Sequence, residues 1–253
     1  MNTVKVRDVE LGSGMPKICV SVIEKGTKEI IKSVLDIKEL GADIIEWRAD
    51  WFQDVFDREA MFLTLERMSG VLGNVPLLFT FRTGKEGGAQ KIDPENYVKV
   101  NKRAIESGYI DMVDIELFTG EKEVAELVQL AKEHDVKIVM SNHDFQKTPA
   151  KEEIISRLCK MQEVGADILK IAVMPQERKD LLTLLDATEE MNSKYAKQPI
   201  VTMSMGQVGV LSRMSGEVFG SAMTFGAVGK GSAPGQMAVE DLKTVLKLIH
   251  NSL

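Results

Sequence analysis

The sequence of 253 residues contains few cysteines and histidines and no excess of basic residues. Two cysteines, Cys19 and Cys159, are too few for a disulfide framework, so we expect reduced thiols in a cytoplasmic protein. The N-terminus has no apolar run that resembles a signal peptide, and no later stretch approaches the roughly 20 apolar residues of a membrane span. A formal net charge of −6 argues against a surface that binds nucleic acid. These absences exclude secreted, membrane and nucleic-acid-coating proteins.

Short apolar runs rich in β-branched residues recur along the whole chain. The predicted strands are residues 18–23, 44–48, 77–82, 112–117, 137–142, 168–173, 200–204 and 222–225. Between them lie longer segments with helical spacing, most clearly at 27–40 and 239–249, where the apolar residues fall on one stripe. Strands that alternate with helices in this way predict parallel pairing through right-handed crossovers.

A weak internal repeat favours a closed barrel over an open sheet. Residues 39–46 resemble residues 163–170, and both copies indicate a helix closed by a glycine that leads directly into a strand. The alignment places Glu46 and Lys170 at the same point of two equivalent strands. Such copies favour a (β/α)8 TIM barrel, whereas the G-x-G-x-x-G fingerprint of the rival doubly wound sheet is absent. We predict a single domain over residues 1–253, with an extra β element at 4–11 before the first barrel strand.

Charged and polar residues collect where the predicted strands end. Glu46 and Arg48 end the second strand, Arg82 ends the third, and Lys170 lies inside the sixth. A barrel of this type carries its active site at the carboxyl ends of the strands and in the loops that follow. The sequence therefore predicts an active site at that end of the barrel.

Lys170 is flanked by aliphatic residues on a predicted central strand. Such a lysine must extend its ammonium to solvent, pair with a carboxylate, or be held uncharged by desolvation. An uncharged amine could attack a carbonyl group and form an imine. The alternative is a buried structural ion pair with Glu46 or Asp114, and sequence position alone leaves both open.

His143 is the only one of the three histidines that is predicted to follow a strand at its active end. An imidazole with an ordinary pKa of about 6.5 can carry a proton near neutral pH. His143 could equally be a capping or loop residue. Glu86, in a glycine-flanked loop, could orient the imidazole or could be an ordinary surface glutamate. The sequence has no H-x-x-x-H or C-x-x-C motif, so it does not predict a metal site.

Three arginines, Arg48, Arg82 and Arg213, place positive charge at separate strand ends or loops. On an acidic protein this pattern favours recognition of an anionic, oxygen-rich small molecule. Each guanidinium could instead pair with a carboxylate of the chain. The candidate carboxylates are Glu46, Asp50 and Glu217.

A glycine-rich segment at 226–236 follows the last predicted strand and contains four glycines. It could cradle a phosphate with its backbone N–H groups, or it could be a lid that closes over a substrate. Its G-K-G-S sequence lacks the spacing of a nucleotide-binding P-loop, so nucleotide binding is not predicted.

Two motifs carry a family resemblance. The sequence DIEL at 114–117, followed after twenty residues by IVMSNHD at 138–144, resembles the signature of the type I 3-dehydroquinate dehydratase family. That family is the Schiff-base-forming class of the shikimate pathway, and Lys170 lies where it carries its imine lysine. The similarity extends over essentially the whole chain. The resemblance implies a (β/α)8 barrel, a homodimer, a small-molecule substrate and no metal or organic cofactor.

The resemblance also implies roles for individual residues. Lys170 would form an imine with the C3 ketone of 3-dehydroquinate. His143 would remove a C2 proton and then assist loss of the C1 hydroxyl, with Glu86 orienting its ring. The residues that match substrate-binding positions are Arg213, Ser232 and Gln236 for the carboxylate, Glu46, Arg48 and Arg82 for the hydroxyls, and Ser21, Met203, Phe225 and Ala233 for the pocket walls.

The implied reaction suits these residue types. A protonated imine is an electron sink beside the C–H bond, so His143 needs no unusual basicity to produce 3-dehydroshikimate. A class I aldolase of a phosphorylated sugar would share the imine lysine but would hold a phosphate in the glycine-rich segment. A non-catalytic barrel that binds an anionic metabolite would need no reactive lysine. Both remain alternatives at this point.

Overall fold

Strands and helices alternate through the chain, of which the computed structural model describes residues 2–229 and 231–253. The strands are β1 (Val4–Val6), β2 (Val9–Leu11), β3 (Lys17–Val22), β4 (Ile44–Arg48), β5 (Leu77–Thr80), β6 (Met112–Glu116), β7 (Lys137–Asp144), β8 (Ile168–Val173), β9 (Ile200–Ser204), β10 (Met223–Ala227) and β11 (Met237–Ala238). The helices are α1 (Thr27–Glu39), α2 (Arg58–Leu72), α3 (Pro94–Glu106), α4 (Glu121–Glu133), α5 (Lys151–Glu163), α6 (Arg178–Glu190), α7 (Val210–Met214), α8 (Gly216–Phe219) and α9 (Val239–His250). Each predicted strand is present, with ends that agree to within one or two residues.

The strands from β3 to β10 pair in parallel and in sequence order, and β11 extends the sheet beside β10. The barrel closes between β9 and β10, where the N–H of Ala222 donates to the carbonyl of Ile200 at 2.8 Å. The N–H of Thr202 donates to Oγ of Ser221 across the same seam at 3.0 Å. The unbroken strand order and the closure confirm the predicted (β/α)8 TIM barrel and exclude the doubly wound sheet.

Antiparallel strands β1 and β2 form a hairpin before the barrel, which confirms the extra β element predicted at 4–11. Val6 and Leu11 of the hairpin are buried against interior residues such as Ile44 and Met112, which lie at the starts of their strands. The hairpin therefore covers the end of the barrel opposite the carboxyl ends of the strands. No helix among the described residues has the length and apolar character that a membrane span requires.

The internal repeat has a structural role in the sheet. Asp43 and Asp167 belong to the two copies, and Asp111 to a looser copy at 106–114. Each of the three precedes a strand, and each carboxylate accepts a hydrogen bond of 2.7–2.8 Å from a backbone N–H near the start of the preceding strand. The glycines before the first and last of these aspartates, Gly41 and Gly165, have positive φ, as the turn out of a helix requires. Each copy of the repeat thus fixes where two neighbouring strands begin relative to each other.

Strand alternation places the functional side chains inside the barrel. Successive residues of a strand point to opposite faces, so every second residue of a barrel strand faces the interior. On β4, Ile44 lies in the apolar floor of the interior, and Glu46 and Arg48 follow above it on the same face. On β8, Ile168 lies in the floor and Lys170 above it. The repeat therefore brings Glu46 and Lys170 to the same level of the inner wall.

Candidate active site

A cleft of about 470 Å³, including the part open to solvent, lies at the carboxyl ends of the barrel strands. It is lined by Glu46, Arg48, Arg82, Glu86, Gly87, His143, Phe145, Lys170, Ala172, Met203, Met205, Arg213, Phe225, Ser232, Ala233 and Gln236. The structure thus brings together the predicted site residues except Ser21, which does not line the cleft. Ser21 donates a hydrogen bond to Glu46 and accepts one from Ser232 at 2.9 Å, so it supports two residues that do. Sequence reasoning missed Gly87, Phe145, Ala172 and Met205, which have no charged side chain to mark them.

Lys170 is 3% exposed, and its ammonium is surrounded on the inner wall of the barrel. Nζ donates to Oδ2 of Asp114 at 3.0 Å and lies 3.8 Å from Oε1 of Glu46. The ring of Phe225 lies 4.6 Å from Nζ on another side, within the range of a cation–π interaction. The buried ion pair given above as an alternative is therefore present, with both of the carboxylates named. An ion pair and a reactive amine are compatible, because the amine needs only to lose one proton before it attacks a carbonyl.

Asp114, one of the two carboxylates beside Lys170, is also paired with Arg82. Nη2 of this arginine donates to Asp114 at 2.8 Å, and its Nη1 donates to Glu116 at 3.0 Å and to Ser141 at 2.9 Å. Although burial opposes ionisation, Arg82 and Lys170 hold the pKa of Asp114 well below its ordinary value. Asp114 is therefore a fixed negative charge and a poor proton acceptor.

Arg48 is also neutralised within the protein. Its Nε and Nη2 donate to the two carboxylate oxygens of Asp50, each at 2.8 Å. Such a bidentate pair fixes the plane of the guanidinium. Arg48 and Arg82 thus pair with carboxylates of the chain, which was the alternative stated for the three arginines. Both nevertheless line the cleft.

Arg213 differs from the other two arginines. It is 1% exposed, and none of the described carboxylates lies within 4 Å of its guanidinium; Glu217 pairs instead with His250 at 2.7 Å. Nη2 donates to the carbonyl of Pro234 at 3.1 Å, and Nε has no hydrogen-bond partner among the described residues. Burial lowers the pKa of Arg213 to about 10. A buried cation without a counter-ion is costly, so this end of the cleft is complementary to an anion.

Glu86 and His143 form a hydrogen-bonded pair on the side of the cleft formed by β7. Oε2 of Glu86 accepts hydrogen bonds of 2.9 Å from both the backbone N–H and Nδ1 of His143. Glu86 is 7% exposed, so the surface-glutamate alternative is wrong. Its loop depends on Gly88, because a Cβ there would lie 1.8 Å from the carbonyl oxygen of Arg82. The loop can therefore follow this tight path only with glycine at that position.

The environment of the pair shifts both pKa values. Burial and then the charge of Glu116 raise the pKa of Glu86 to about 8. Burial and then the charges of Arg82 and Lys170 lower the pKa of His143 well below its ordinary value. The imidazole is therefore uncharged at neutral pH. Nδ1 is hydrogen-bonded to Glu86, so Nε2 is the ring nitrogen left to accept a proton whenever Glu86 is ionised and accepts from Nδ1–H.

From the glycine-rich segment, Ser232, Ala233 and Gln236 line the cleft, while Lys230 lies outside the described residues. The N–H groups of Ser232 and Ala233 donate to the side-chain oxygen of Gln236, at 2.8 Å and 3.4 Å, which argues against a phosphate cradle at these positions. Gly235 has positive φ, and a Cβ there would lie 2.3 Å from the carbonyl oxygen of Gly206. Glycine thus lets the segment approach the β9–α7 connection closely.

Fold and site together define a (β/α)8-barrel enzyme with a hydrogen-bonded glutamate–histidine pair, a buried lysine and a buried arginine in one cleft. No group of three or more His, Cys, Asp or Glu side chains in the described part of the chain is arranged to hold a metal ion. The chain belongs to the type I 3-dehydroquinase family, whose family model matches residues 18–253. This confirms the resemblance inferred from the motifs at 114–117 and 138–144.

Individual relatives match over the full length of the chain. The 3-dehydroquinate dehydratases of Salmonella agona (strain SL483) and Escherichia coli (strain SE11) are each 53% identical to it over 252 residues, which is 100% of this chain and of theirs. The crystal structure of a type I 3-dehydroquinate dehydratase from Clostridium difficile is 49% identical, with a TM-score of 0.97. That match covers 100% of this chain and 99% of the other.

The raised pKa of Glu86 predicts a pH-dependent effect on stability. An acid whose pKa is higher in the folded than in the unfolded protein makes the native state less stable as the pH rises between these two pKa values. For Glu86 they are 4.5 and about 8. Glu86→Gln removes this titration. We therefore expect the melting temperature of the variant minus that of the unsubstituted protein to grow as the pH is raised from about 5 to 8. Thermal unfolding across that range, with the exposed Glu66→Gln as control, measures it; a difference that shrinks with pH would contradict the assignment.

Proposed function

We propose that this enzyme, a 3-dehydroquinate dehydratase of the hydro-lyase class, converts 3-dehydroquinate to 3-dehydroshikimate and water through an imine on Lys170, with His143 as general acid and base. One observation carries the proposal. A single cleft holds a buried lysine amine, an uncharged imidazole and, at another point of its wall, the guanidinium of Arg213, which pairs with no carboxylate of the described residues. The substrate offers a ketone, an acidic C–H with a neighbouring hydroxyl, and a carboxylate to meet these three groups.

Binding begins with the substrate carboxylate at Arg213. The free Nε of that guanidinium needs an acceptor, and Ser232 and Gln236 lie in the segment whose Pro234 carbonyl already contacts Arg213. The hydroxyls of the substrate would meet the polar wall formed by Glu46, Arg48 and Arg82. The walls beside the ring would be Met203, Phe225 and Ala233, with Ser21 holding Glu46 in place.

Imine formation requires that Lys170 lose a proton. The low pKa of Asp114 makes it a poor acceptor, so the uncharged His143 or water entering at the mouth of the cleft would take the proton. The amine then attacks C3, and the ketone oxygen takes one proton from the attacking nitrogen and the other from the group that deprotonated Lys170. It leaves as water, so a protonated imine remains and His143 is again uncharged. Asp114 and Glu46 lie beside that nitrogen and stabilise its positive charge.

Elimination then uses both forms of His143. Nε2 accepts the C2 proton, and the C–H electron pair moves into the protonated imine to give an enamine. The same electron pair next expels the C1 hydroxyl, to which His143 returns the proton, and hydrolysis releases 3-dehydroshikimate from Lys170. Acid–base assistance of this kind typically contributes about 10²- to 10⁴-fold in rate. Glu86 supports the cycle because the positive charge that His143 acquires favours the carboxylate form of Glu86, and that carboxylate in turn stabilises the imidazolium.

We also propose that the protein acts in the cytoplasm as a homodimer, that residues 1–253 form one domain, and that it uses no metal or organic cofactor. The family resemblance supports the dimer. The hairpin of β1 and β2 supports a single domain, because its side chains complete the floor of the barrel. The proposed catalytic groups come from one chain, so the dimer would not be needed to complete the site.

Lys170 should be the residue that becomes covalently attached. Borohydride added together with 3-dehydroquinate should leave a reduced adduct on the peptide that contains Lys170, because reduction traps the imine. Lys170→Ala should form no adduct and lose nearly all activity. Lys147→Ala, at an exposed lysine, serves as control and should still form the adduct and keep its activity. Mass spectrometry of peptides locates the adduct. An adduct on Lys230 would move the chemistry to the glycine-rich segment and overturn the assignment.

His143→Ala should slow dehydration by several powers of ten, because the substitution removes the group that both accepts and returns the proton; a loss of about 10³-fold or more is expected. Imine formation should continue, so the covalent intermediate should accumulate and be visible in the intact protein mass. The surface histidine His250 provides the control, since His250→Ala should leave turnover unchanged. Turnover of His143→Ala near the normal rate would shift the search for the base to Glu86 or Glu46.

The segment at 228–236 should act as a lid. We expect its backbone amides to exchange quickly with deuterium in the free enzyme and to become protected when substrate or product is bound, because Ser232 and Gln236 then bind the carboxylate. Inorganic phosphate at the same concentration should protect these amides little. Strong protection in the free enzyme would indicate a loop fixed in one conformation, and full protection by phosphate would favour the aldolase alternative.

A further inference from the structure

The carboxylate of Glu86 is held by more than His143. Its Oε1 accepts a hydrogen bond from Nδ2 of Asn142 at 3.1 Å, and Oδ1 of Asn142 accepts one from Nη1 of Arg157 at 2.8 Å. A chain of hydrogen bonds therefore runs from Arg157, on α5 outside the barrel, through Asn142 to Glu86 and the imidazole. Neither Asn142 nor Arg157 lines the substrate cleft.

Arg157 is itself fixed from two other directions. Its Nη2 donates to Glu153, one turn earlier on α5, and its guanidinium lies 5.8 Å from the centre of the Phe118 ring. An asparagine amide can present either its oxygen or its NH₂ group to a neighbour. Because a guanidinium only donates, Arg157 binds the oxygen of Asn142 and leaves its NH₂ group on the side of Glu86, whose Oε1 accepts from it. Arg157 thereby directs the NH₂ group of Asn142 at the carboxylate.

The guanidinium of Arg82 also lies close to the carboxyl group of Glu86. Oε2, which binds both N–H groups of His143, also lies 3.6 Å from Nη1 of Arg82. Asn142 is 5% exposed and is the only side chain, apart from His143, that donates a hydrogen bond to Glu86 among the described residues. Without it, rotation of the carboxylate towards Arg82 would leave Nδ1 of His143 without its acceptor. The imidazole would then lose the contact that keeps Nε2 free to accept a proton.

We propose that Asn142 and Arg157 are positioning residues for the acid–base pair, acting in series on Glu86. The inference rests on the proposed function, because it assigns these residues to the proton transfers of His143. Their action should be confined to those transfers, since Lys170 and Arg213 make no hydrogen bond or ion pair with either residue in the described structure.

The decisive experiment measures kcat, KM and imine trapping in Asn142→Ala, Arg157→Ala and the double variant. Asn142→Ala should lower kcat about 10- to 100-fold, the effect of losing a hydrogen bond to a charged group, while KM changes by less than about threefold. Arg157→Ala should lower kcat less. If Arg157 acts through Asn142, the double variant should be no slower than Asn142→Ala. Borohydride should still trap the imine in each.

Three further variants separate positioning from general packing. Arg157→Lys keeps a donor and should recover part of the lost kcat. Asn142→Asp keeps the acceptor for Arg157 but cannot donate to Glu86, so it should be as slow as Asn142→Ala, and it serves where the alanine variant does not fold. Glu153→Ala removes the exposed partner of Arg157 but leaves its hydrogen bond to Asn142 and its contact with Phe118, so kcat should fall less than in Arg157→Ala.

The outcomes are distinguishable from failure of the proposed function. Normal kcat in Asn142→Ala, multiplicative losses in the double variant, or a loss in Glu153→Ala equal to that in Arg157→Ala would overturn the positioning role. Changes in melting temperature without a change in kcat would do the same. If the unsubstituted enzyme does not dehydrate 3-dehydroquinate, or if His143→Ala turns over normally, the proposed function fails instead.

Discussion

The need to neutralise a lysine inside a barrel governs the arrangement of the site. Removing an ammonium or a carboxylate from water costs several kcal/mol per ion, so each buried charge requires a partner of opposite sign. Lys170 is partnered by Asp114 and Glu46, and Asp114 is shared with Arg82, which also binds Glu116. Removing one member would leave its neighbours uncompensated. The same charges then influence the chemistry, because Arg82 and Lys170 lower the pKa of His143.

The barrel makes this arrangement possible through the period of its strands. One face of each strand supplies the interior, so a strand that begins with an apolar inward residue can continue with a charged one two positions later. Ile44 and Glu46 on β4 follow this order, as do Met112 and Asp114 on β6. The apolar floor and the hairpin beneath it separate the charges from solvent at one end. Substrate can therefore enter only from the end where the reactive groups lie.

Local patterns predicted the fold and much of the site, whereas contacts between distant elements could not be predicted. The strands, Lys170 and His143 carry their signals in the sequence around them. Arg157 carries none, because a basic residue four positions after Glu153 on a helix reads as an ordinary surface pair. Its hydrogen bond to Asn142 joins α5 to β7, and only the fold brings these two residues together. Phe145 was missed for a similar reason: its ring lies where a Cβ on Gly87 would be, a proximity set by two separate loops.

The three arginines of the cleft differ in whether a carboxylate pairs with them, so the electrostatic character of the cleft differs from one point to another. Arg48 and Arg82 are neutralised by carboxylates of the chain, while Arg213 is not. A substrate carboxylate placed at the Lys170 end would meet Asp114 and Glu46 and be repelled; at Arg213 it would supply the missing counter-ion. The reverse holds for a positively charged imine, which is favoured only beside those two carboxylates. In the proposed reaction, these opposite electrostatic requirements at separate points of one cleft would orient the substrate before any bond is formed.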